Sequence, residues 1–334
     1  MKIAIDAMGG DHAPRVVVEG ALLAAKELGV ELILVGDETA VKRELDLLGG
    51  QPKNVSIRHA GSVIAFNEPA AQSVRRKKDA SICIATDLVK AGEADALVTA
   101  GHTGAAVAAT TLKLRLLEGI ERPGIGIAFP TLKNPVFLID VGANIETKPI
   151  HLYQYAEMGE IYMRDILGVK KPSIGILNVG EEDSKGTEHI KEAHQLLEKS
   201  RLNFIGNVEG RDIFTGKCDV IVCDGFVGNV VLKVAESITE VIGMLLKKEL
   251  KKNYLTILGA VLSKSAFSAL KQKVDYAEYG GAPLLGINGT CIISHGSSNP
   301  KAIKNAIRVA SEAVAREVNK HILQELEFRE AGRT

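Results

Sequence analysis

The chain has 334 residues, 46% of them hydrophobic and 25% charged, with 41 basic residues balancing 41 acidic ones. That is enough chain to bury a large core, and the composition excludes a disordered segment. Without a net positive charge the chain lacks the electrostatic footprint of a nucleic-acid binder, so no nucleic acid partner is expected.

The opening MKIAIDAMGG reads as a strand entering a glycine turn, not as a charged leader followed by a long apolar stretch, and no apolar run is long enough for a membrane span. In chain order, apolar runs predict strands at 3–7, 32–35, 56–59, 96–100, 124–129, 136–141, 173–179, 203–208, 220–223 and 291–294. Helical periodicity predicts helices between them, at 16–28, 40–48, 103–117, 148–167, 184–197, 227–250 and 299–323. The alternation implies βαβ units. Runs such as LILVG and VFLIDVG suit strands buried on both faces of a mostly parallel sheet. The expected fold is a three-layer α/β/α sandwich. A boundary is expected near residue 125, with 290–334 returning to 1–125 and 126–289 forming a second portion, or the whole forming one continuous domain. Within the second portion, 247–273 carries seven lysines and one acid around apolar residues at helical spacing. A basic amphipathic hairpin over 245–275 follows, suited to an anionic membrane surface or to a partner helix.

In open parallel sheets, ligands bind beyond the carboxyl ends of the strands. Six predicted strands end in polar glycine turns, containing Asp6 to His12, Gly101 to Ala105, Gly142 to Asn144, Gly180 to Gly186, Asp224 to Asn229 and His295 to Ser298. A wholly parallel arrangement places all six on one edge. AGHTGA and DGFVGN share a strand, Gly-x-x-Gly, helix pattern that lets backbone N–H groups and a helix dipole meet an anion; packing alone could also require the glycines. Neither is a P-loop, and no strand is followed by GxGxxG, so a nucleotide triphosphatase and a common NAD enzyme lose support. Arg75 and Arg76 offer bidentate anion contacts and Lys185 a mobile charge, although a solvated surface run is the commoner use of four adjacent charges. His12, His102 and His295 fall in the turns, where each could move a proton or merely hold a loop. Asp6, Asp11, Asp140, Asp183 and Asp224 have no metal-loop spacing, and their expected role is to orient basic groups. The cysteines 83, 218, 223 and 291 have no zinc spacing and read as core thiols, with an acyl-Cys223 as the alternative. No metal or cofactor is expected.

Several blocks in order, IAIDAMGGDHAP, RRKKDASI, TAGHTGA, LIDVGAN, LNVGEEDSKG, FIGNVEGRD, CDGFVGNVVLK and YGGAPLLGINGTCIISHGSS, resemble the PlsX family of phosphate acyltransferases. The chain departs from that pattern at His102, where Asn is usual, and at Val227. The resemblance implies an isocitrate-dehydrogenase-like or phosphotransacetylase-like fold, a homodimer, and transfer of an acyl group from acyl carrier protein to inorganic phosphate. It further implies peripheral membrane contact and delivery of the acyl phosphate to a membrane-bound glycerol-3-phosphate acyltransferase. Phosphate is already a nucleophile, so the protein must position it and stabilise an oxyanion. On that reading Gly104, Asn144, Gly228 and Asn229 contact phosphate or the oxyanion, Lys185 supplies charge, and His12 or His295 delivers a proton. Arg75, Arg76 and Asp224 bind substrate, and Leu255, Leu258, Leu262 and Phe267 form the hairpin's contact face. The alternatives are an acyl-coenzyme A phosphotransacetylase and a non-catalytic membrane scaffold.

Overall fold

The computed structural model describes residues 1–274 and 280–331; position 275 of the expected hairpin, Tyr279 of the last block, and 332–334 lie outside them. The first half runs β1 (Lys2–Asp6), α1 (Arg15–Leu28), β2 (Glu31–Gly36), α2 (Glu38–Leu47), β3 (Val55–His59), α3 (Ala70–Arg76), α4 (Ser81–Lys90), β4 (Ala96–Thr99) and α5 (Thr103–Lys113). It continues with β5 (Gly124–Phe129), β6 (Val136–Ile139), α6 (Pro149–Asp165), β7 (Ser173–Leu177), α7 (Glu188–Glu198), β8 (Asn203–Val208), a short turn of helix (Gly210–Phe214) and β9 (Val220–Val222). The long α8 (Gly225–Leu250) leads into α9 (Tyr254–Leu262) and α10 (Lys264–Val274), followed by β10 (Ala282–Leu285), β11 (Thr290–Ile293), α11 (Pro300–Ala315) and α12 (Val318–Ala331).

The strands form one eleven-stranded sheet in the order β3-β2-β1-β4-β11-β10-β5-β6-β9-β7-β8, flanked by helices in the layered α/β arrangement expected. The inner strands are buried on both faces because their side chains are almost all Ile, Val, Leu and Ala. Helix starts follow local chemistry. Asp37, Thr187, Asp224 and Asn299 cap α2, α7, α8 and α11 with side-chain oxygens, and Gly29 ends α1 in the left-handed conformation.

Three differences from the sequence reading bear on the site. An additional strand, β10, is short and contains Pro283, which hid it. It runs antiparallel to both β11 and β5, and β5 runs antiparallel to β6, so the sheet reverses direction three times at its centre. The glycine turns therefore do not share one edge: those after β1, β4 and β11 point one way, and those after β6, β9 and β7 the other. Finally, α11 and α12 are separate helices, broken at Glu317 with φ of 50°, although their apolar periodicity reads as continuous.

Up to Glu236 α8 keeps one face on the body through Val231, Leu232 and Ala235; from Ser237 onward it projects outward. Val230, Val234, Ile238, Val241, Ile242 and Leu245 form an exposed apolar stripe that runs on to Leu255, Leu258 and Leu262, each exposed, and half-buried Phe267. No helix among the described residues is long and apolar enough to cross a membrane.

Candidate active site

The two sets of strand tips meet because β10 is only four residues long. Its first residue, Ala282, pairs with Ile293 at the end of β11, while Leu284 pairs with Ile125, whose N–H reaches Asp140 just past the end of β6. A cleft of about 530 Å³ opens over this junction, floored by Ile125, Ile127 and Ala282. A smaller cavity of about 190 Å³ lies beside it, and Phe66, Gly101 and His102 line both.

The first wall comes from β1, β4 and β11. His102 is the N-cap of α5 but makes no side-chain cap bond, and the Thr103 and Gly104 N–H groups have no partner among the described residues. A helix N-terminus left open this way carries partial positive charge toward the cleft. His102 Nε2 lies 3.2 Å from the Glu68 carbonyl, which can only accept, so Nε2 bears the hydrogen and Nδ1 is the ring's acceptor. Phe66 stacks on this ring at 6.1 Å. Glu68 holds the connecting loop by accepting from Lys77 Nζ at 2.7 Å, Ala65 N at 2.9 Å and Ser73 Oγ at 3.0 Å. The Lys77 contact leads in lowering its carboxyl to about 2.

The second wall is the start of α8. It sits against a turn organised by the buried Asp140, whose Oδ1 accepts from Ile125, Gly142 and Ala143 N–H and whose Oδ2 accepts from Asn144 N–H, at 2.8 to 3.0 Å. Burial nevertheless pushes its carboxyl above the ordinary value. The expected orienting role for Asp140 thus falls on backbone amides, not on a basic side chain. Asn229, just past the first turn of α8, and Lys233 one turn later both line the cleft. Lys233 Nζ lies 2.9 Å from Glu236 Oε2 and 2.8 Å from His295 Nε2, and His295 Nδ1 is 2.8 Å from Ser297 Oγ.

Of the candidate residues, Gly104, Asn229 and His295 line the cleft together. His12 and Lys185 are exposed and line neither cavity; the Lys185 turn follows β7, beyond β9 from the junction. Arg75 and Arg76 lie exposed at the last turn of α3, preceding Lys77, which makes the ion pair with Glu68. Asn144 lines neither cavity: its amide donates to the Pro123 carbonyl and to Tyr155 Oη. Asp224 caps α8 through Val227 N–H, and Gly228 packs α8 against Asp140. Cys223 is buried, with its thiol pushed well above the ordinary value by burial, which favours packing over an acyl-cysteine. Lys233 and Glu236 were missed, although Lys233 stands four residues after Asn229 and so shares its helical face.

The sequence pattern of a family described as "Fatty acid synthesis protein" matches residues 1–321. The chain belongs to that family. It is an acyltransferase, 51% identical over 327 residues to the "Phosphate acyltransferase" of Geobacter sulfurreducens, an alignment covering 98% of this chain and 94% of that one. Its fold is that of a phosphotransacetylase from Streptococcus pyogenes (TM-score 0.64, 20% identity) and of the EutD phosphotransacetylase from Staphylococcus aureus (TM-score 0.60, 17% identity), each match covering 94% of both chains. This agrees with the fold class read from the sequence.

Proposed function

We propose that the chain transfers an acyl group from acyl carrier protein to inorganic phosphate, releasing acyl phosphate and the free carrier thiol for phospholipid synthesis. The observation that carries this reading is the pair of cavities with a common wall at Gly101 and His102: one small and closed by glycine turns, one larger with an apolar floor. The name of the 51%-identical relative supplies the acceptor, and the family description supplies the fatty acyl class.

The acyl chain lies along Ile125, Ile127, Val141 and Leu232 in the larger cleft. The thioester carbonyl meets the open Thr103 and Gly104 amides and the Asn229 side chain, the donors that steady its oxygen as it becomes an oxyanion. A phosphate oxygen bonds to the carbonyl carbon, the carbon–sulfur bond breaks, and the proton that entered on phosphate ends on sulfur. His102 Nδ1 takes that proton as the carbon–oxygen bond forms and returns it to the departing sulfur at the shared wall, while the Lys233 ammonium offsets charge on the thiolate. No electron changes hands, so the reaction as written needs no redox cofactor.

The exposed stripe of α8 fits burial against a second copy, and the lysine-rich α9–α10 segment fits an anionic membrane surface, close to a membrane-bound acyltransferase that would consume the product. The test is thiol release from acylated carrier protein with and without phosphate. Phosphate-dependent release supports the reading; no release ends it; release from acyl-coenzyme A alone makes the chain a phosphotransacetylase.

A further inference from the structure

The smaller cavity is lined by a buried carboxyl, one of whose oxygens has no hydrogen-bond partner among the described residues. Asp6 ends β1 and is 3% exposed; its Oδ2 accepts from Thr99 Oγ1 at 2.8 Å, and its Oδ1 has no hydrogen-bond partner among the described residues. The Ser81 hydroxyl and the Met8 and Gly9 N–H groups lie close enough to favour the ionised form, against burial, which dominates and raises the carboxyl above its ordinary value. Ser81 lines the cavity beside Asp6, as do Gly10 and His102, whose N–H groups have no partner among the described residues. Asp140, at the corresponding tip of β6, shows the contrast: both its oxygens are occupied by backbone N–H groups of its own turn. A buried carboxyl oxygen left unpaired beside spare donors is costly unless a ligand completes the set.

The ligand must then bring one hydrogen to donate and several oxygens to accept. Inorganic phosphate carries a P–OH near neutral pH, and so does arsenate. Sulfate is of the same size and shape but carries only lone pairs, which would face Asp6 unpaired. We propose that this cavity seats the phosphate acceptor in a protonated form, and that Asp6 selects it over sulfate by accepting its P–OH while Gly10, His102 and Ser81 hold the remaining oxygens. The seat lies at the wall shared with the thioester cleft, so an oxygen held there faces the carbonyl carbon. This inference rests on the phosphate-acceptor reading above and adds the residue that fixes acceptor specificity.

The experiment compares anions on the intact protein at mildly alkaline pH and constant ionic strength. Phosphate and arsenate should raise the melting temperature and support thiol release from acylated carrier protein, whereas sulfate should do neither and should not inhibit. Asp6→Asn places an amide where the acceptor was: KM for phosphate should rise roughly tenfold or more, and sulfate should become a competitive inhibitor. Ser81→Ala, which keeps the carboxyl, should raise KM for phosphate while sulfate stays excluded, giving a second reading if the Asn variant does not fold. Stabilisation or competitive inhibition of the unaltered protein by sulfate, at concentrations like those of phosphate, would overturn the proposal, as would an Asn variant that still excludes sulfate. Failure of the unaltered protein to release thiol with any anion would instead remove the phosphate-acceptor reading itself.

Discussion

Gly228 comes so close to Asp140 that a Cβ built on it would lie 1.9 Å from the Asp140 carbonyl oxygen. That contact seats the first turn of α8, with Asn229, against the turn after β6. Alanine would gain about 1 kcal/mol of helix propensity at this position but would meet backbone that cannot yield, and overpacking of this kind costs about 1–3 kcal/mol. Gly228→Ala should lower the melting temperature and reduce turnover by shifting Asn229. Gly243, farther along the same helix, has nothing within 4 Å of its Cβ position, so Gly243→Ala should stabilise by about 0.5–1 kcal/mol with activity unchanged. Parallel thermal melts decide both; equal effects from the two variants would contradict the packing argument.

Among the described residues lining the cleft, Lys233 is the lysine or arginine, held by Glu236 and His295. Lys233→Met should reduce kcat by roughly 10²-fold, the scale of losing one charge-stabilising donor, while the melting temperature stays near that of the parent because the side chain is solvent-accessible. Lys185→Met, outside the cleft, should cost little. Steady-state kinetics on both variants tests the assignment, and a larger loss at Lys185 would reverse it.

All four cysteines are buried, and burial pushes Cys218 and Cys291 up to about 12 and Cys223 well above its ordinary value. Thiolates are scarce under such conditions. Treatment of the native protein with iodoacetamide should leave activity intact, and Cys223→Ala should remain active. Rapid inactivation with label on Cys223 would restore the acyl-cysteine alternative.

Glu68 links pH to the loop that carries Phe66. Its carboxyl is lowered from 4.5 to about 2, first by Lys77, so the folded state holds fewer protons than the unfolded one between those values. The stabilisation is present above pH 4.5 and fades as pH falls toward about 2. Glu68→Gln should therefore melt below the parent at neutral pH, with the gap closing through that acid window. Melting curves across pH check this; a gap that widens on acidification would refute it.

Leu255, Leu258 and Leu262 are exposed on α9, next to a basic run at Lys247, Lys248, Lys251 and Lys252. Replacing the three leucines by serine should abolish flotation with anionic vesicles while leaving thiol release in solution within a few fold. Val234→Asp with Ile238→Asp on the α8 stripe should shift the particle mass toward that of one chain. Sedimentation of both variants separates the two contacts.

Much of the fold was legible because its signals are local. Apolar runs of Ile, Val and Leu marked most strands, and Asn299 stood at a predicted helix start, since both features depend only on near neighbours in the chain. Gly104, Asn229 and His295 could be picked out for the same reason: each follows a strand within a few residues.

Strand direction was not local. Six glycine turns read as one edge only if every strand runs the same way, and the reversals at β10, β5 and β6 depend on pairings between segments up to about half the chain apart. Those reversals bring Lys233 to His295 across 62 positions, whereas Lys185 stays outside the cleft because its turn follows β7, beyond β9, and Asn144 because its amide is held by the Pro123 carbonyl and Tyr155 Oη. Sequence determined which turns could bind an anion, because glycine and helix starts act through their own backbone. Which of them face one another was decided only by tertiary structure, since hydrogen bonding between distant strands sets where each turn points.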